Sequence, residues 1–279
     1  MTGVIGRRAI PLSRLTPTRS RQIVASVDVL LLFALPFELE PTADRLGLRD
    51  EDGAGLRVGE TARHRIRAAV TGVGRARADA ACRELVERRR PEWVLFSGFA
   101  GGLAPDLAVG DLICPERVVL WEGERFDEER PSTALPALAL PADAGFSSTL
   151  ARAAAAAGAR LSTGPLVTVD RAVRDPAHKR ALGATTAAVA VDMESAASVA
   201  CAAELGIPCT VVRAISDAAD DTIPEGLHGL IGPDGAVRPA EFERISHEPE
   251  LRDALRRLAE AGQRAARSLA DVFEACLSP

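Results

Sequence analysis

The sequence predicts an α/β fold, with a central sheet flanked by helices, on three observations. Short apolar runs rich in β-branched residues alternate with longer amphipathic segments, as strands and helices do when they take turns along a chain. Glycines follow several of the short runs, where a strand has to leave the sheet. The length, 279 residues, suffices for one large α/β domain with a well-buried core.

The elements follow in order. Val29-Leu30-Leu31-Leu32-Phe33-Ala34-Leu35 reads as the core of a first strand over 27–35. It could pass for the apolar part of a signal peptide, but Asp28 precedes it and no small-residue cleavage pattern follows. A helix is expected over 38–47 and a strand over 65–71. Residues 74–90 carry apolar side chains at helical spacing with charge on the other face. Strands are expected over 93–98 and 111–120, a helix over 147–158, and strands over 163–169 and 187–191. The small, apolar stretch Ala196–Glu204 lies in a helix expected over 193–205, closed by Gly206. Cys209–Ile215, β-branched and apolar, marks a buried strand over 209–216. Gly226–Pro239 reads as a loop, and 250–276 as a final amphipathic helix. Residues 27–279 are read as one domain with an elaborated C-terminal loop and helix. Residues 1–26, basic and without acids, read as a mobile extension, with a targeting arm as the alternative.

Composition excludes several classes of function. The net charge of −5 argues against general nucleic-acid affinity, which needs a basic face. There is no tyrosine and few other aromatics on which bases could stack. No apolar run reaches membrane-spanning length. Five widely spaced cysteines, with no CxxC and no HExxH, suit a reducing cytoplasm and predict no metal site. Lys179 is the only lysine, and it reads as a composition bias toward arginine.

Two acidic clusters carry the chemistry. Val191-Asp192-Met193-Glu194-Ser195 places a carboxylate at the start of a helix. About twenty residues later, Arg213-Ala214-Ile215-Ser216-Asp217 places another at the end of a strand. In open α/β sheets ligands bind outside the carboxyl ends of the strands. Two acids brought to that rim can meet one small molecule. Each also has a plainer reading: Glu194 as an acid in a helix's first turn, Asp217 as the cap of a turn or helix. Gly72-Val73-Gly74 partly matches a dinucleotide-binding fingerprint and would suit an NAD-type oxidoreductase, but Arg77 stands at the third glycine position. Gly98-Phe99-Ala100-Gly101-Gly102 leaves another strand, and no Walker lysine accompanies it.

Ser97-Gly98-Phe99-Ala100-Gly101-Gly102-Leu103, its continuation Leu107–Leu112, and the segments Val191–Ser195 and Val211–Asp220 together resemble the nucleoside phosphorylase/nucleosidase superfamily. The nearest likeness is to its methylthioadenosine/S-adenosylhomocysteine nucleosidase branch, and it covers most of 27–221. The resemblance implies a three-layer α/β sandwich around a mixed, partly barrel-like sheet. It also implies a homodimer, no cofactor, and cleavage of the N-glycosidic bond of a 5′-modified adenosine with release of adenine. By the same likeness Asp217 is the general acid that protonates the purine at N7. Glu194 holds the ribose hydroxyls, with Met193 beside the sugar. Glu38 positions the attacking water. Ser216 and Arg213 support the aspartate and the site. Ala100 and Gly101 line the pocket with backbone, and Val173 falls in the loop that holds the adenine. Where phosphorolytic relatives place an arginine and a serine, this chain has Phe96 and Phe99, which favours water as nucleophile.

The tail after Asp221 also resembles hopanoid-associated nucleosidases, which take adenine from an adenosyl lipid. Ile223, Pro224 and Leu227 are then candidates for an apolar 5′ pocket. A non-catalytic nucleoside-binding protein is the alternative of another class. The chemistry asks for a protonated Asp217 near neutral pH, and burial beside a second carboxylate would supply it.

Overall fold

The apolar run after Asp28 becomes the middle of a sheet covered on both faces. The computed structural model describes residues 26–51, 53, 55–123, 133–136 and 144–278, so the N-terminal extension expected over 1–26 lies, apart from Ser26, outside the described residues. The strands are β1 (Val27–Phe33), β2 (Arg49–Asp50), β3 (Arg57–Glu60), β4 (His64–Val70), β5 (Trp93–Gly102), β6 (Leu112–Ile113), β7 (Arg117–Leu120), β8 (Thr133–Pro136), β9 (Leu161–Ser162), β10 (Leu166–Thr168), β11 (Ala190–Asp192) and β12 (Cys209–Asp217). The helices are α1 (Pro36–Arg45), α2 (Arg75–Arg88), α3 (Ala144–Ala156), α4 (Pro176–Thr186), α5 (Ser195–Glu204), α6 (Pro239–Ser246) and α7 (Pro249–Leu277).

Alternate residues of β1 point to opposite faces, and each face has its own core. Val29, Leu31 and Phe33 pack with Leu39 of α1 and with Leu269, Val272 and Phe273 of α7. Leu30 and Leu32 pack with Cys82 and Val86 of α2 and with Val199 and Ala202 of α5. Helices, sheet and helices make three layers, as the resemblance implied. Helix α7 is 29 residues long, and the Phe273 ring meets the Phe33 ring edge-on at 6.3 Å. The C-terminal helix is therefore part of the main core.

The twelve strands form one mixed sheet. Strand β1 runs parallel to β4 and β5, and β12 runs parallel to β5. Strand β11 is antiparallel to the end of β5, and β6 is antiparallel to β12. Strand β5 has three partners because it outruns β1. Its first half pairs with β1, and the edge left free beyond Phe96 takes β11 at Gly101 and Gly102. The expected strand over 111–120 is broken into β6 and β7, and that over 163–169 is reduced to β10, with β9 just before it. Strands β6 and β9 branch off through β12, while β7 and β10 lie on the main path. The sheet thus curls without closing.

Other differences from the sequence reading have local causes. Helix α4 was not expected, since Gly183, Thr185 and Thr186 weaken its helical propensity. Its start is nevertheless well marked: Asp175 accepts from the His178 amide, and Pro176 takes the first position. Helix α6 begins at the end of the stretch read as loop, and a short 3₁₀ turn, Glu225–Leu227, overlaps the start of that stretch. Strands β2 and β3 are short and exposed or half-buried, without an apolar alternation to betray them. Strand β11 starts at Ala190, later than the predicted 187.

Candidate active site

The ends of β5, β11 and β12 meet at Gly101, which pairs with Val191 on one side and with Asp217 on the other. A side chain there would collide: a Cβ on Gly101 would stand 3.1 Å from Asp217 Oδ2 and 3.2 Å from Val191 Cγ1. The register slips between Ile215 and Asp217, so Ser216 is an extra residue opposite β5. Such a bulge re-aims side chains, and here it sets Ser216 against its neighbour. The Ser216 hydroxyl donates to Asp217 Oδ1 at 2.7 Å and lies 3.4 Å from the carbonyl oxygen of Ala100.

The other oxygen of Asp217 belongs to a residue that the sequence reading set aside. Lys179 Nζ donates to Asp217 Oδ2 at 2.6 Å, to the Ala218 carbonyl at 2.6 Å and to the Asp221 carbonyl at 3.2 Å. The Lys179 side chain is fully buried. Two readings are corrected. The single lysine is more than composition bias, and the group beside Asp217 is an ammonium, where a second carboxylate was expected. The turn after β12 is capped by Asp221, which accepts from the Ala218 amide at 2.7 Å. Asp217 is spared that task, against the plainer reading of it as a cap.

The second cluster is built around Arg213, on β12 and 1% exposed. Its Nη2 lies 2.6 Å from Asp192 Oδ2 and 3.7 Å from Glu194 Oε2. It also donates to Ser195 Oγ and, through Nη1, to the Ser97 carbonyl at 3.1 Å. The resemblance had Arg213 supporting the aspartate as well as the site; the guanidinium turns to the acids that begin α5. Asp192 was seen in the sequence but given no role. It accepts from Thr168 Oγ1 at 2.6 Å and from the Ser195 amide at 3.0 Å, so it ties down the start of α5. Glu194 sits at the N-cap position without capping through its side chain. Its carboxylate instead reaches across to accept from the Gly74 amide at 2.8 Å. That is unlike an ordinary first-turn acid.

Glu38 joins this cluster from α1. Its Oε2 accepts from the amides of Ala34 and Leu35, both at 2.9 Å, and Oε1 from the amide of Phe99 at 2.8 Å. It is 2% exposed, so it is no solvated helix-start acid. Gly98 makes the approach possible. Its φ of +135° is one that side chains rarely adopt, and a Cβ there would stand 2.7 Å from Arg213 Nη1 and 2.8 Å from Glu38 Oε2.

Three buried carboxylates thus gather around one guanidinium. Burial pushes the Glu194 carboxyl up to about 7; Arg213 and the Gly74 amide oppose this, while Asp192 and Glu38 add to it. Burial also raises Glu38, against Arg213 and three backbone amides. Burial works against the charge on Arg213, but Asp192, Glu194 and Glu38 outweigh it and raise its pKa.

The remaining predicted residues fall in several places. Val173 and the half-buried Met193 pack in one apolar cluster with Trp121 and Val191. Phe96 lies in the core at 2% exposure, and Phe99 packs on Phe37 with ring centroids 5.7 Å apart. Neither position offers a donor to an anion. Leu227 does not line an open pocket. It is buried with Leu230, Ile245 and Ala254 under α6 and α7. Ile223 and Pro224 are half-buried, and the Ile223 amide donates to the Arg174 carbonyl next to Val173. Among the described residues no helix is long and apolar enough to cross a membrane.

The family model of the Phosphorylase superfamily matches residues 28–274. The chain belongs to that superfamily. Among curated relatives, the ATP nucleosidase Cap17 of Escherichia coli is 26% identical over 80% of this chain and 52% of its own length. The 5′-methylthioadenosine/S-adenosylhomocysteine nucleosidase of Geobacillus kaustophilus is 32% identical over 54% of this chain and 66% of its own. The chain thus spans about half to two thirds of the length of these curated relatives. In fold it is similar to Helicobacter pylori 5′-methylthioadenosine/S-adenosylhomocysteine nucleosidase, with a TM-score of 0.66 and 21% identity over 90% of this chain and 97% of that one. The futalosine hydrolase of the same organism gives 0.64 and 22%, over 88% and 97%. These two likenesses concern the fold of this superfamily member.

Proposed function

We propose that this superfamily member hydrolyses the N-glycosidic bond of a 5′-modified adenosine and releases adenine. The observation that carries the reading is the juxtaposition at the end of β5: Asp217 on one edge, and on the other the strand that leads into Glu194. Asp217 takes up a proton from solvent before the base departs and gives it to N7 of the purine as the C1′–N9 bond breaks and its electron pair goes to the base. The sugar becomes oxocarbenium-like, as in glycoside hydrolysis. Glu194, when ionised, accepts hydrogen bonds from the 2′- and 3′-hydroxyls, and its charge favours the sugar cation. Glu38 takes a proton from the water that adds to C1′. Met193 lies against the sugar, Ala100 and Gly101 let the base approach the backbone, and Val173 closes over it.

Water as the nucleophile is supported by Phe96 and Phe99 at the two positions where phosphate would need donors. The 5′ substituent is methylthio- or homocysteine-like in the main reading. A second reading, removal of adenine from an adenosyl lipid, is favoured by Phe37, 43% exposed beside Glu38 and packed at a tilt against Phe99. An apolar rim of that kind suits a long apolar 5′ group. The chain acts in the cytoplasm as a homodimer in either reading.

The test is a panel of methylthioadenosine, S-adenosylhomocysteine, 5′-deoxyadenosine, ATP, inosine and an adenosyl lipid analogue, each with and without phosphate, followed by chromatography of the free base. Adenine from a 5′-modified adenosine in phosphate-free buffer is expected. Turnover only with phosphate would replace hydrolysis by phosphorolysis. Tight binding without turnover of any member would leave a nucleoside-binding protein.

A further inference from the structure

We infer that Lys179 is a positioning residue for Asp217: its ammonium fixes the carboxylate for proton transfer and compensates the charge that reappears on it as the base departs. The inference rests on the nucleosidase reading above and adds a participant to it. Three observations on this chain carry it. First, the ammonium is fully buried and meets three oxygens, Asp217 Oδ2 and the carbonyls of Ala218 and Asp221. An ammonium has three protons and no acceptor, so every donor is used. Second, all three oxygens come from the end of β12 and the turn after it, while Lys179 comes from α4, 38 residues away in sequence from Asp217. The contact therefore sets the end of β12 from outside. Third, the chain has one lysine against 33 arginines. At the other cationic positions of this sequence arginine serves. Here three acceptors converge on one nitrogen, a geometry a compact ammonium meets and a planar guanidinium fork does not.

The step that Lys179 assists balances simply. Asp217 gives its proton to N7, the C1′–N9 electron pair passes to the ring, and a carboxylate is left 2.6 Å from Nζ. The ammonium keeps its three protons throughout and is no proton donor in the step. It holds Oδ2 while Ser216 holds Oδ1, so the carboxyl group keeps one orientation before and after transfer. Of the other charged groups on α4 and its cap, Arg180 is exposed, and so are the side chains of His178 and the capping Asp175, which pair with each other.

The single lysine makes the test direct. Protein labelled only in lysine gives one ¹⁵Nζ resonance. It is expected to show a protected ammonium that shifts on addition of adenine and shifts again in Asp217→Asn. A resonance indifferent to both would overturn the inference. In kinetics, Lys179→Met is expected to lower kcat about a hundredfold, the scale of losing one fixed electrostatic partner, with KM changed less than about threefold. In the Asp217→Asn background the same change should cost almost nothing further, since Lys179 acts only through Asp217. Additive losses in the double variant would reduce Lys179 to a structural pin. If Lys179→Met fails to fold, the Asp217→Asn/Lys179→Met pair, which lacks both charges, and the resonance remain decisive. Full turnover by Asp217→Asn sinks the nucleosidase mechanism itself. An inactive Asp217→Asn beside a fully active Lys179→Met sinks only the role of Lys179.

Discussion

The two acidic centres of this molecule are built on opposite charge ratios. On the side proposed to meet the base, one carboxylate, Asp217, faces one ammonium with all its donors used. On the side proposed to meet the sugar, Asp192, Glu194 and Glu38 crowd one guanidinium. The first centre is balanced. The second has an excess of acid: burial pushes Glu194 up to about 7, with Asp192 and Glu38 adding to the rise and Arg213 and the Gly74 amide opposing it. The difference suits the parts assigned to them. A proton donor needs a fixed orientation and a conjugate base that can be left charged. A site beside a developing sugar cation gains from surplus negative charge, provided its acids ionise at working pH.

Breaking the base side should give the largest effect on turnover. Asp217→Asn removes the proton and keeps the shape, and adenine release should fall about a hundred- to ten-thousandfold, the usual share of positioned acid catalysis. Circular dichroism should show the fold retained. Breaking the sugar side should instead cost stability. Arg213→Met leaves buried acids uncompensated, and denaturant unfolding should show a loss of about 3–5 kcal/mol. Gly98→Ala attacks the same cluster through the backbone, where a side chain meets both Arg213 and Glu38. Strain at such a dihedral is worth about 1–3 kcal/mol, and a lower melting temperature together with lower turnover is expected.

The pH response should sharpen the contrast further. In the proposed reaction Glu194 accepts the diol in its ionised form, so kcat/KM should rise as pH passes through about 7. Stability should move the other way. The folded value lies above the ordinary 4.5, so the folded chain holds an extra proton between the two values. That contribution is fully present below pH 4.5 and is lost as pH climbs toward 7. Unfolding curves across this window, compared with Glu194→Gln, would check the sign. The smallest effect belongs to exposed pairs. Arg45, 49% exposed and paired with Asp271 and Glu274, lies in solvent-screened surface, and Arg45→Ala should leave the unfolding midpoint nearly unchanged.

How much of this was legible in the sequence varied with how local the signal was. The runs at 29–33, 93–98 and 209–216 announced buried strands because apolar and β-branched character is a property of the segment itself. Asp192, Glu194 and Asp217 stood out because their motifs are contiguous. What could not be read was whatever depends on partners far along the chain. Nothing near residue 179 says that its nitrogen will meet Asp217, Ala218 and Asp221, although its being the sole lysine was a signal in plain view. The arginine at 213 was placed at the site, yet its preference for the α5 acids over Asp217 follows from how β11 and β12 flank β5. Helix α4 was hidden by its glycine and threonines, despite the Asp175-Pro176 start.

The central claim is that Asp217 and Glu194 serve one nucleoside. A crystal structure of Asp217→Asn with intact 5′-methylthioadenosine tests it most directly. One molecule should span the site, its 2′- and 3′-hydroxyls on the Glu194 carboxylate and its N7 facing residue 217. A nucleoside that reaches only one of these two residues, or binds elsewhere on the chain, would contradict it.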